Sequence, residues 1–127
     1  MTDRRKAGEQ VRREVMGDFF VDRALNNATD FDMPLQEQVM EAAWGTTWTR
    51  DDLPRTTRSL ITIAMLAALK CPQELKGHVR GALNNGCTVE EIRAVLLHAM
   101  VYAGAPAAID ATRAAKEVIE EWEKDQA

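Results

Sequence analysis

The chain has 127 residues, a formal net charge of −4 and 46% apolar residues, a length and balance that suit one domain, read here as 1–127, burying roughly two-thirds of its unfolded surface. Its charges are interspersed with no recurring basic stripe, which argues against a nucleic-acid partner. The charged start Met1-Thr-Asp-Arg-Arg-Lys has no signal-peptide core, and the longest apolar run, Leu60 to Leu69, is about half a membrane span, so neither export nor a membrane is expected.

Alanine, leucine and methionine outweigh β-branched and aromatic residues, which leans towards helix. In chain order, Ala7, Val11 and Val15 at spacing four predict an amphipathic helix over 3–16, ending near Gly17. Val21, Ala24 and Leu25 suggest a short second helix. Asp32 is placed to cap a third, with Pro34 in its first turn and Gly45 at its end. Pro54 opens the most apolar segment, Arg55 to Leu69. Pro72 fits the first turn of the next helix, which stops at Asn84-Asn85-Gly86, where Asn and Gly tolerate the left-handed backbone. Thr88-Val-Glu-Glu91 reads as a capping box before a helix through Ile92, Val95, Leu96, Ala99 and Met100. Gly104 and Pro106 break that helix and restart a last one ending near Trp122. No segment alternates with period two, so the expected fold is all-α, a compact multi-helix bundle.

The stretch Cys71-Pro-Gln-Glu-Leu-Lys-Gly-His78 carries the most chemistry. On a helix, Glu74 and His78 lie one turn apart on one face, a pair able to move protons at neutral pH without metal or organic cofactor. The same spacing also suits a surface ion pair. Arg55 and Arg58 share a face at the head of the apolar helix. They form either an anion clamp or partners for Asp51, Asp52 or Glu41. His98 and Tyr102 are again one turn apart, placed to donate to a ligand or to backbone groups. Trp44 and Trp48 suit a pocket wall, a core or a subunit interface. The two cysteines, Cys71 and Cys87, are not a CxxC, form no metal cluster and exclude a disulfide framework. Free thiols suit a reducing cytoplasm.

Trp44-Gly-x-x-Trp48, Arg55-x-x-Arg58-Ser-Leu, Glu74-Leu-Lys-x-His78, Asn84-Asn-Gly86-x-Thr88-x-x-Glu91-Ile and Tyr102-x-Gly104-x-Pro106 occur in this order. Together they resemble the carboxymuconolactone decarboxylase family from about Arg12 to Val118. The early Val-Arg-Arg and Thr-Asp-Phe31 blocks, with Trp-Gly-x-x-Trp, narrow the likeness to its decarboxylase branch. The resemblance implies an all-helical subunit of the alkylhydroperoxidase-D-like type in a ring-like hexamer. It implies decarboxylation of γ-carboxymuconolactone to β-ketoadipate enol-lactone, in protocatechuate catabolism, with no cofactor. Relatives of the peroxidase branch carry Glu-x-x-Cys-x-x-Cys-x-x-x-His. Here Cys71 stands at the first thiol and Glu74 at the second, so the resolving sulfur of a dithiol peroxidase is missing. The alternatives are a family scaffold without activity and a thiol-dependent peroxidase.

An unsaturated lactone can take up the electrons that carbon dioxide leaves behind, so the substrate is its own electron sink. On that chemistry Arg55 or Arg58 is expected to anchor a side-arm carboxylate, and His78 or Tyr102 to face the lactone oxygen. Glu74 is expected to protonate carbon or keep His78 charged.

Overall fold

The computed structural model describes residues 2–127, and among them every regular element is helical. Contacts gather into two units, residues up to Pro54 and Arg55–Ala127.

The first unit opens with α1 (Asp3–Met16), whose N-cap Thr2 hydroxyl accepts from the Arg5 N–H at 3.0 Å. Gly17 ends it with φ 93°, a value that side-chain-bearing residues rarely hold, and α2 (Asp18–Asn27) follows at once. Then come α3 (Met33–Val39) and a π-helical stretch, Met40–Thr47. Two details depart from the sequence reading. Asp32 precedes α3 but does not cap it, because its carboxylate accepts from the Thr29 N–H at 2.6 Å instead. Gly45 does not end a helix. It lies inside the π-helical stretch because α1 runs backbone to backbone against it. A methyl on Gly8 would strike the Met40 carbonyl, and one on Gly45 the Arg4 carbonyl. Val11, Val15, Met16 and Val21 form the core of this unit with Trp44 and Trp48, whose rings stack at 4.7 Å.

The second unit holds α4 (Arg55–Ala68), α5 (Pro72–Asn84), α6 (Val89–Ala103) and α7 (Ala105–Gln126). Helices α4 and α5 form a hairpin, closed at one end by the Cys71 N–H on the Leu66 carbonyl at 3.0 Å. At the other end the Asn85 amide donates to Ser59 Oγ at 2.9 Å. The Thr88–Glu91 capping box is present in both directions, 2.9 and 3.0 Å. Gly104, with φ 97°, repeats the Gly17 break between two helices. Helix α7 continues past Trp122 to Gln126, since Glu123, Lys124 and Asp125 are tolerated in a helix and no glycine or proline stops it. Ile63, Leu75, Val79, Ala82, Ile92 and Leu96 are buried at the centre. Truncating one such residue to alanine costs about 2–5 kcal/mol.

Candidate active site

Helix α5 has a buried stripe, Leu75, Val79, Ala82 and Leu83, at the spacing that keeps one face turned to the core. Glu74 and His78 sit one position before Leu75 and Val79, about 100° round the helix. That offset decides their surroundings. Glu74, in the first turn, is exposed, and His78 is half-buried with its Nδ1 shielded from solvent. One helical turn separates them, but no hydrogen bond or ion pair joins them among the described residues. In the first turn a carboxylate also faces the positive end of the α5 dipole.

The two arginines open α4. Arg55 is exposed, while Arg58 is half-buried with its Nε shielded from solvent. Asn85, at the C-terminal end of α5, holds this turn: its amide reaches the Arg55 carbonyl at 3.4 Å as well as Ser59 Oγ. The Asn84-Asn85-Gly86 motif therefore does more than stop a helix. It ties the head of α4, with its arginines, to the helix that carries Glu74 and His78. Position 58 thus lies level with the end of α5, roughly 10 Å along the axis from His78 at 1.5 Å per residue. A long guanidinium side chain covers much of that span.

The rings of His98 and Tyr102 lie tilted against each other on α6 with centroids 5.1 Å apart. Tyr102 is 81% exposed, and His98 is exposed as well. Neither is hydrogen-bonded to Glu74 or His78 among the described residues. Trp44 and Trp48 belong to the core of the first unit.

The thiols differ. Cys71, at the N-cap of α5, is half-buried, its Sγ 3.7 Å from the Leu69 carbonyl. Cys87 is buried and donates towards the Thr56 carbonyl at 3.5 Å. Burial, with help from the Glu91 carboxylate, pushes its thiol above the ordinary value. A sulfur held protonated is a poor partner in thiol exchange.

In the first unit, Arg5 and Arg12 occupy the buried face of α1 seven residues apart. The sequence reading gave neither a role, although Arg12 stands in the early Val-Arg-Arg block. Their signal is a pair of charges interrupting the apolar stripe formed by Val11, Val15 and Met16. Arg5 is clamped by Glu37 and Glu9, and these bonds, Glu37 first, hold its guanidinium above the ordinary value.

Residues 34–117 match the Carboxymuconolactone decarboxylase family. The chain is 45% identical over 118 residues to the 4-carboxymuconolactone decarboxylase of Acinetobacter baylyi, spanning 93% of this chain and 88% of that one. It is 49% identical over 104 residues to the nitrosuccinic acid decarboxylase npaB of Metarhizium robertsii, spanning 82% of this chain and 73% of that one.

Proposed function

Because the chain belongs to the carboxymuconolactone decarboxylase family, we propose that it removes carbon dioxide from 4-carboxymuconolactone, giving the enol-lactone. It is a decarboxylase, a carbon–carbon lyase, and the observation that carries this is the likeness to the Acinetobacter baylyi enzyme over 93% of the chain. The step belongs to aromatic catabolism through protocatechuate, and we assign the protein to the cytoplasm. Among the described residues no helix is long and apolar enough to cross a membrane.

The chemistry needs one bond broken and one made. The C–CO2 bond breaks, its electron pair moves through the conjugated ring onto the lactone oxygen, and a proton then reaches carbon. We assign Glu74 as the proton donor, exposed and so able to recharge from water. His78, half-buried on the same face, stabilises charge on the lactone oxygen. Arg58 or Arg55 holds the side-arm carboxylate, which keeps a cation away from the departing group, where it would favour the ground state. His98 and Tyr102, turned outward on their own helix, suit a role towards a neighbouring subunit. A homo-oligomer accords with exposed Leu97, Met100, Val101 and Ile109 on α6 and α7.

The test is incubation with enzymatically generated 4-carboxymuconolactone, following carbon dioxide release and the product by NMR. Absence of turnover would sink the proposal. A second reading is favoured by the Metarhizium robertsii relative, whose named substrate, a nitro-substituted succinic acid, pairs a leaving carboxyl with an electron-accepting group. Nitrosuccinate is the second substrate in the same assay. Hydroperoxide with a thiol donor is the third, and it should not be consumed, since Cys87 is buried as a thiol.

A further inference from the structure

Helix α4 buries Ser59, Ile63 and Ala67 at a spacing of four, which makes them one stripe. Ile63 and Ala67 belong to the apolar core, whereas Ser59 places a hydroxyl, 0% exposed, in the same stripe. A buried hydroxyl is costly unless it is hydrogen-bonded. The Asn85 amide donates to its Oγ at 2.9 Å, and the same Nδ2 reaches the Arg55 carbonyl at 3.4 Å. These contacts bracket one turn of α4, and Arg58 leaves the helix from between them. The Cys87 thiol, on the Thr56 carbonyl at 3.5 Å, is a further hold on that turn.

Asn85 is itself fixed. Its N–H donates to the Gly81 carbonyl at 2.9 Å, while the Gly86 N–H returns to Leu83 at 3.1 Å and the Cys87 N–H to Ala82 at 2.9 Å. The amide is therefore a strut that starts from a rigid helix end. Apolar side chains packed between two helices tolerate small slides and rotations. Hydrogen bonds of set length and direction tolerate far less. A guanidinium that must meet a carboxylate benefits from such support, because a misplacement of about 1 Å weakens its grip.

We propose that Asn85, acting through Ser59 and the Arg55 carbonyl, is a positioning residue that aims Arg58 at the side-arm carboxylate of the substrate. The proposal rests on the decarboxylase reading, with Arg58 as the group that holds this carboxylate. Every residue it uses lies in the second unit. The backbone of Asn85, φ −79° and ψ −6°, has the conformation of a type I turn, which alanine adopts without strain. Asn85→Ala therefore removes the strut and leaves the helix end in place.

The experiment measures lactone turnover by the whole protein in a cycle of Asn85→Ala, Arg58→Ala and the double variant. Asn85→Ala should raise KM about 10-fold, within the worth of one charge-assisted hydrogen bond, with kcat far less affected. In the Arg58→Ala background the same substitution should leave KM where it is, because the group it serves is gone. An equal factor in both backgrounds overturns the proposal, since a residue that only stabilises the fold does not depend on Arg58. An unchanged KM for Asn85→Ala alone overturns it too. The Arg58 Nε–Hε signal, identified by its loss in Arg58→Ala, gives an NMR readout independent of turnover. It should move in Asn85→Ala, while that of Arg80, 4.9 Å from the centre of the Trp122 ring, stays. An Arg58 signal that does not move refutes the assignment. Ser59→Ala, which takes away the oxygen the amide holds, gives the same cycle should Asn85→Ala not fold. If the wild type turns over no lactone, or Arg58→Ala leaves KM unchanged, the underlying reading fails by itself, and the NMR signal still judges Asn85.

Discussion

Glu74 and His78 share a face of α5, one exposed and one half-buried, so each is expected to act on substrate in its own right. Glu74→Gln and His78→Ala should each lower kcat about 100- to 10,000-fold, the usual range for a lost acid or base, with little change in melting temperature. Arg58→Ala should mainly raise KM. Steady-state carbon dioxide release separates the three, and near-normal turnover by Glu74→Gln would remove it as the acid. Acid sensitivity belongs to other residues. The Arg5 side chain holds the Glu37 carboxyl below its ordinary 4.5, and it lowers Glu9 likewise, with Arg13 assisting. A carboxyl lowered on folding stabilises above its unfolded value, and that contribution is lost as pH falls through the folded one. Melting temperature should therefore drop below about pH 4.5 as Arg5 loses both partners. Glu37→Gln should melt lower at pH 7 and show a flatter profile below pH 4.5. An unaltered profile would mean the clamp contributes nothing to the acid limb.

At the scale of elements, α1 and the π-helical stretch meet at two glycines. Gly8→Ala should cost about 1–3 kcal/mol or more, measured by denaturant unfolding, because the obstacle is backbone that cannot turn aside. Thr88→Ala removes half of a reciprocal cap and should cost about 0.5–2 kcal/mol. An unchanged midpoint in either variant contradicts its assignment. These two cases mark what was legible in the sequence. The capping box is settled within four residues, so the pattern Thr88-x-x-Glu91 sufficed. The role of Gly45 depends on a helix that begins some forty residues earlier, so a glycine that admits a neighbour read as one that stops a helix. Asp32 was misread for a similar reason, since its carboxylate had a nearer donor in Thr29. Spacing likewise put Glu74 beside His78, and His98 beside Tyr102, on shared faces. It could not give exposure, which Leu75 and Val79 decide by turning inward. Arg12, though part of the Val-Arg-Arg block, was given no role because an arginine in an amphipathic pattern looks like part of the polar face.

For the molecule as a whole, contacts gather into two units that meet in sequence at Pro54, each with its own core. On the second, α6 and α7 flank an apolar groove of about 790 Å³ bordered by Leu97, Met100 and Ile109, with Leu97 63% exposed. Leu97→Glu should lower the mass seen by sedimentation velocity if copies associate through this face, with helical content unchanged. A mass equal to wild type would move the association elsewhere. The unequal cysteines have a practical outcome. At neutral pH a maleimide dye should mark position 71 and spare position 87, so one molecule carries one fluorophore without any mutation. The dye then sits at the mouth of α5, where its brightness can report each arrival and departure of a ligand in real time.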